Sequence, residues 1–494
     1  MRKTIDPQIK MGEVDISKIE FDLRSRDEIP KLLMGLQYIY ITPEIRKPVF
    51  QVLEEIIPEG IDPNNGCPGM DLWKILVLGT LRLICNWDYD KLQDIANNHR
   101  TLRQMLGHGL LNDSYRYALQ TLKDNVSLFT PEAFDKINQI VVKAGHDLSG
   151  KKKDDDDLEG RCDSFVLETE AHYPTDINLL FDAIRKVIAL TAQFCSDLDI
   201  RGWRQSRYNI KRIKKFLRKA QKLKRSNSKD ASKKAKREKL IIEAHQAYID
   251  LVGTFLEKAK QTLDIIRKEQ LGKEVKLQEI EAYIQHAQRQ IEQIQRRVIA
   301  GEKIPHEEKV FSLFEEHTEW ICKGKAGVSQ ELGLRVCILE DQYRFILHHQ
   351  VMEKQVDSQV AVSMVEQAKK RFPDLTQCSF DKGFYTPDNR VKLSDILDRV
   401  IMPKKGRLSE QDKRIEYAEE FIRARHQHSA VESAINALEN HSLDRCPDHG
   451  IDGFKRYVSL AVLARNIQTL GNIVQQKQLK RLRRSEKLKY RQAA

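Results

Sequence analysis

The chain has no Cys-x-x-Cys pair and no local cluster of cysteine and histidine at zinc-ligand spacing. Its eight cysteines (Cys67, Cys85, Cys162, Cys195, Cys322, Cys337, Cys378 and Cys446) are scattered. That pattern excludes a sequence-local zinc module and predicts reduced thiols in a cytoplasm. Nowhere does the chain approach the roughly 20 uninterrupted apolar residues that a membrane span requires. Its opening, MRKTIDPQIKMGEVD, turns acidic where a secretory leader would turn apolar. The expectation is a soluble protein that is not exported and has no membrane partner. Only four tryptophans occur, Trp73, Trp87, Trp203 and Trp320, and they are expected to fill cores rather than stack on bases.

What the chain does have is length and local charge. Its 494 residues allow about two to four domains and a substantial core without metal or disulfide staples. Lys and Arg number 84 against 72 Asp and Glu, a net charge of +12 that favours polyanionic partners without naming one. Sixteen basic and two acidic residues between 207 and 239 give that stretch +14, so the remainder is close to neutral. Such a run is either a solvated charged face or a basic helix. Ile210, Ile213, Phe216 and Leu217 keep helical spacing, which favours a helix that lays Lys211, Arg212, Lys214, Lys215 and Arg218 along a phosphate backbone. KQLKRLRRSEKLKYR (477–491) reads as a basic tail within 471–494 that adds nonspecific DNA affinity.

Residues 28–146 read as short helices, because apolar residues recur at three- and four-residue intervals and Thr42-Pro43 and Thr130-Pro131 mark helix starts. This predicts an all-helical N-terminal DNA-binding module over 1–150. Within it, 88–106 reads either as a helix-turn-helix with Arg100 and Arg103 on its second helix or as two packed helices with a solvated arginine face. The charged run Lys151 to Asp157 predicts a linker over 151–160.

Texture then changes. CDSFVLETE (162–170) is a strand candidate, followed by a helix over about 176–195. Apolar positions Ile280, Ile284, Ala287, Ile291, Ile294 and Val298 repeat as in a coiled-coil seam, with a helix over 240–268 able to pair with it across a turn at Gln270-Leu271-Gly272. The pattern suits a projecting hairpin or a dimer seam, within a basic helical insertion over 201–304. Strand texture returns at 332–339 and 343–351, then a helix over 358–371, a strand over 376–380, a helix over 389–397, a strand over 400–402, and helices to the end. Residues 161–200 and 305–470 thus form one α/β domain around a mixed sheet.

In open α/β sheets catalytic groups gather beyond the carboxyl ends of strands. Asp381 stands where TQCSF stops, before Gly383, which would permit a sharp turn, and Asp163 opens the first strand segment. Glu432 lies in HSAVESAINALEN, where Val431, Ala434, Ile435 and Leu438 form an apolar stripe and His428, Glu432, Asn436 and Glu439 a polar one, so one helix can aim a carboxylate at the sheet. Carboxylates from separate elements suit Mg²⁺ or Mn²⁺. Lys323 and Lys325 in CKGKAG are candidate phosphate contacts in a turn, and Lys382 and His428 are candidates beside the acids. His172 reads as a turn residue, and His348 and His349 should point to opposite faces of their strand.

The segments DSFVLETEAHYPTD (163–176), SFDKGFYTPDN (379–389) and RHQHSAVESAINALENHSLDRCPD (425–448) together resemble DDE-type bacterial insertion-sequence transposases, most closely the ISNCY group. WICKGKAGVSQELGLRVCILED (320–341) takes the second-strand position and PGMDLWKILVLGTLRL (68–83) is similar to the family's helical N-terminal region. The resemblance implies a ribonuclease-H-like (retroviral-integrase-like) catalytic domain carrying a long helical insertion. It assigns Asp163, Asp381 and Glu432 as catalytic metal ligands for Mg²⁺ or Mn²⁺, two ions in all. Terminal inverted repeats and target DNA are the implied partners, in a homodimer or larger synaptic assembly in the bacterial cytoplasm, associated with the nucleoid. Where some transposase groups place Arg four residues before the glutamate and Lys seven after, this chain has His428 and Glu439. Three alternatives stay open: a nuclease of the same fold, an inactive transposase-derived DNA-binding protein, and a non-enzymatic coiled-coil DNA-binding protein.

Overall fold

The structure, a computed structural model, describes residues 3–5, 13–57, 69–109, 114–150, 157–224, 230–268, 274–322 and 330–493. Seven helices lead: α1 (Glu28–Ile41), α2 (Pro43–Glu54), α3 (Leu72–Ile84), α4 (Tyr89–Asn98), α5 (Arg100–Met105), α6 (Leu119–Val126) and α7 (Pro131–Ser149). Strand β1 (Leu158–Thr169) precedes α8 (Asp176–Asp197), α9 (Ser206–Lys224), α10 (Ala231–Lys268) and α11 (Glu274–Ile294). Next come β2 (Glu319–Cys322), β3 (Gln330–Glu340), β4 (Ile346–Met352), α12 (Asp357–Arg371), β5 (Leu375–Phe380), α13 (Pro387–Ile396) and β6 (Arg399–Ile401). The chain ends with α14 (Glu410–Glu416), α15 (Glu419–His428), α16 (Ala430–Leu438), β7 (Arg445–Cys446) and α17 (Gly450–Ala493). Among the described residues no helix is long and apolar enough to cross a membrane.

Local chemistry sets many of these boundaries. Thr130, Thr175 and Thr386 each accept a backbone N–H three residues on, capping α7, α8 and α13, and Pro43, Pro131 and Pro387 occupy first helical positions where no N–H is needed.

The chain divides into two compact units, residues 1–170 with 321–494, and residues 171–320. In the first, the sheet runs β4-β3-β1-β5-β6, with β2 beside β3 and β7 beside β1. β1 is antiparallel to β3, and β3 to β4, whereas β5 runs parallel to β1 and β6 parallel to β5. Alternation along the strands sends successive side chains to opposite faces. His348 thus meets Arg371 of α12 on one face, and His349 meets Ser459 of α17 on the other.

The N-terminal helices do not form a core of their own. Leu32, Trp73 and Phe134 belong to the same continuous buried cluster as Leu167, Phe345 and Phe380 of the sheet region. Asn466 of α17 accepts the Ile346 N–H at 3.0 Å and donates to Asn138 of α7 at 2.7 Å, so β4, α7 and α17 are joined by buried, satisfied amides. The expected boundary at 151–160 therefore separates no cores, and residues 151–156 lie outside the described residues. The segment 477–491, expected as a tail, continues α17.

The helix-turn-helix expectation also changes. One residue, His99, joins α4 to the six-residue α5, where a DNA-reading motif needs a turn of about three or four residues. Arg103 is buried, donating to the carbonyls of Ala96 and Tyr115 at 3.2 and 3.1 Å, so it cannot reach DNA; Arg100 is exposed.

In the second unit, α8, α9, α10 and α11 bury Ile184, Val187, Ile213, Leu217, Tyr248, Val252, Ile280 and Ile284. The insertion starts at 171 rather than 201 and extends to 320, because α8 packs along α11. The seam Ile280, Ile284, Ala287 and Ile294 is therefore filled within the unit, chiefly by α8, and is not a free dimer seam; the turn at 270–272 lies outside the described residues.

Candidate active site

Parallel pairing of β1 with β5 puts Arg161 opposite Ser379 and Cys162 opposite Phe380. The next step along both strands brings Asp163 level with Asp381, on strands that lie about 4.8 Å apart. Asp163 does not open its strand but sits in the middle of it, because β1 begins at Leu158. Asp381 keeps extended backbone (φ −76°, ψ 163°) directly after β5, before the single turn Lys382–Phe384. Side-chain alternation aims Asp163 and Asp381 at the face covered by α16 and α17.

Glu432 reaches that face from α16, whose Val431, Ala434 and Leu438 are buried while Glu432 is exposed in its first turn. One further contact holds this helical segment down: His428, the last residue of α15, has its Nδ1 3.0 Å from Ser379 Oγ. Burial pushes the His428 imidazole down to about 4, partly countered by the charge of Asp381. Held neutral and bonded through Nδ1 to Ser379, the ring would meet a phosphate as a hydrogen-bond donor and not as a cation.

Asp163 is the most desolvated of the acids. Burial first, then the charges of Asp381, Asp357 and Glu432, push its carboxyl up to about 6, against the pull of the Ser164 N–H, which donates to Oδ1 at 2.7 Å. The fourth acid, Asp357, begins α12 and was not singled out from sequence. It accepts a hydrogen bond from Ser164 Oγ at 2.6 Å. Nothing in its local sequence distinguishes it from any acid that starts a helix; its significance comes from the β1–α12 packing.

Among the described ion pairs none engages Asp163, Asp357, Asp381 or Glu432, so none of these four acids has a Lys or Arg counter-ion there. Hard oxygen donors with uncompensated charge fit Mg²⁺ or Mn²⁺. As the side chains stand, no group of three or more His, Cys, Asp or Glu among the described residues is arranged to hold a metal ion. Asp381 and Glu432 are solvent-exposed, whereas Asp163 is half-buried.

The remaining candidates divide. Lys382 is exposed beside Asp381, as a phosphate contact would be, while Lys323 and Lys325 lie outside the described residues. Gly383 lies in the single turn Lys382–Phe384 without a left-handed backbone. A Cβ there would stand 2.9 Å from Asp357 Oδ2, so a larger residue would have to displace that carboxylate. In the other unit Lys211, Arg212, Lys214, Lys215 and Arg218 are exposed on α9, and none pairs with a carboxylate among the described residues.

Comparisons with protein-family models, with curated proteins and with solved structures find no match to this chain.

Proposed function

We propose that the chain is a DNA transposase of the DDE type, a metal-dependent polynucleotidyl transferase whose catalytic carboxylates are Asp163, Asp381 and Glu432. The observation that carries the reading is the register of β1 against β5, which sets two aspartates side by side under the helix bearing a glutamate. The strand order supports a ribonuclease-H-like domain: β1 is central, with two antiparallel neighbours in succession on one side and two parallel strands on the other.

Mg²⁺ or Mn²⁺ held by these oxygens would supply Lewis-acid polarisation of a phosphodiester and an activated nucleophile. The chain's own part is positioning. Asp163 is anchored by its pairing with Ile338 of β3 and directly follows Cys162, which pairs with Phe380 of β5, Asp381 follows the end of β5, and Glu432 is held by the buried stripe of α16. Fixed placement of reactants and charge accounts for most catalysis in phosphoryl transfer, so no covalent protein intermediate is required. The unpaired cations of α9 suit the phosphate backbone of the same DNA. Pairing two element ends calls for two or more copies of the chain.

The test is cleavage and strand transfer by the full chain on supercoiled plasmid carrying the DNA that flanks its own gene, with Mg²⁺ or Mn²⁺. Asp163→Asn, Asp381→Asn and Glu432→Gln should each abolish both steps while DNA binding persists. Nicking without joining would favour the nuclease reading. Full activity in any one variant would remove that residue from the site.

A further inference from the structure

We infer that the N-terminal turn of α12 is the clamp that sets Asp163 against Asp381, with Asp357 and Asn389 as its two positioning residues. This rests on the carboxylate site proposed above.

The first arm runs to β1. Asp357 Oδ1 accepts from Ser164 Oγ at 2.6 Å, and the N–H of the same serine donates to Asp163 Oδ1 at 2.7 Å. A single residue in the middle of β1 therefore links Asp357 to the first aspartate, tying α12 to the strand beside the carboxylate it orients. The second arm runs to the turn after β5. Asn389, a buried residue of α13, donates through Nδ2 to the carbonyl of Ser358 in α12 at 2.6 Å and to the carbonyl of Phe384 at 3.0 Å. Phe384 closes the turn that begins at Asp381, its N–H donating to the Asp381 carbonyl at 3.2 Å.

Consecutive residues of α12, Asp357 and Ser358, thus reach the segments carrying each aspartate. Gly383 lies against the same carboxylate, with Asp357 Oδ2 2.9 Å from where a Cβ would stand. Partners outside the ligand set that orient metal-binding groups commonly control affinity by about 10- to 100-fold.

Asp357 could instead act by its charge, and the choice of variants separates the two roles. Asp357→Asn keeps an acceptor oxygen for Ser164 while losing the charge; Asp357→Ala loses both. Mn²⁺ binding to the full chain, measured by calorimetry without DNA, is the readout, with melting temperature alongside. The clamp predicts that Asp357→Ala, Ser164→Ala and Asn389→Ala each weaken Mn²⁺ binding by about 10-fold or more. Asp357→Asn should stay within about 3-fold of the parent, and Asp357→Ala with Ser164→Ala should be no worse than either alone, because the two share one bond. Equal losses for Asp357→Asn and Asp357→Ala would overturn the positioning role in favour of charge. Unchanged binding in Asp357→Ala would overturn the clamp while leaving the site intact. Failure of the parent chain to bind Mn²⁺ would overturn the site and the clamp together.

Discussion

Ser379 Oγ and His428 Nδ1 lie 3.0 Å apart, two residues before Asp381 and four before Glu432. The contact ties the helical segment that leads to the glutamate to the strand that carries the second aspartate. With its ring held neutral by burial, His428 should act as a fastener and not as a phosphate-binding cation. His428→Ala should lower cleavage while leaving the salt dependence of DNA binding unchanged. A fall of about 0.9 in the log–log salt slope would mean that the imidazole carries charge against a phosphate.

Asp163 should cost the unliganded fold stability. Its folded-state pKa is raised to about 6, so the penalty is absent in strong acid and grows as pH rises from about 4 through 6. At pH 7 without divalent cations, Asp163→Asn should stabilise the protein by on the order of 2 kcal/mol, read as a higher melting temperature. Mn²⁺ should raise the melting temperature of the parent and not of the variant. A destabilised variant would show that the carboxylate is already compensated.

Histidine burial should govern the acid limb. His349, half-buried beneath α17 and bonded to Ser459, has its folded-state pKa pushed down to about 4 by burial and by the Arg371 charge. The unfolded ring takes up a proton near 6.5. The stability it contributes is thus present above about 6.5 and lost as pH falls towards 4. His349→Gln should flatten the pH dependence of the urea midpoint across that window; an unchanged slope would assign the acid limb to other groups.

Helices α1 and α17 touch backbone to backbone at two glycines. A Cβ on Gly471 would fall 1.9 Å from the Lys31 carbonyl oxygen, and one on Gly35 2.3 Å from that of Ile467. Gly471→Ala should therefore destabilise by about 3 kcal/mol or more, at the upper end of overpacking costs, as measured by chemical denaturation. Gly453→Ala, whose nearest neighbour would be 3.5 Å away, is the matched control and should cost far less.

On α9 the buried stripe and the charged surface can be altered separately. Ile213, Leu217 and Ala220 pin the helix, while Lys211, Arg212, Lys214, Lys215 and Arg218 face solvent. Replacing those five with Gln should preserve helicity and melting temperature and lower the salt slope of DNA binding by about 0.9 for every phosphate the helix no longer neutralises. An unchanged slope would leave the segment a solvated surface.

The sequence by itself determined the elements. The five expected strands became β1, β3, β4, β5 and β6, with the continuous apolar runs at β3 and β4 suited to burial on both faces, while the short β2 and β7 were not among them. Periodicity likewise marked the helices, and Val431, Ala434 and Leu438 told which way Glu432 must face. Those signals are local: spacing within a few residues defines them, and no distant partner is needed to see them.

Only the tertiary structure decided what those elements meet. The apolar seam of α11 has the same periodicity whether it packs on α10, on α8 or on a second chain, and it packs along α8. Arg103 looks like a surface arginine until Ala96 and Tyr115 present their carbonyls to it. Asp357 is one acid among 72, and it matters because α12 carries it to Ser164, 193 residues away. Gly383 has no left-handed backbone, and what stands beside its missing Cβ is Asp357 Oδ2, a neighbour no local pattern announces. The physical reason is the same in each case: periodicity specifies which face of an element is buried, whereas the identity of the covering partner depends on packing across the whole chain, which leaves no mark in local spacing.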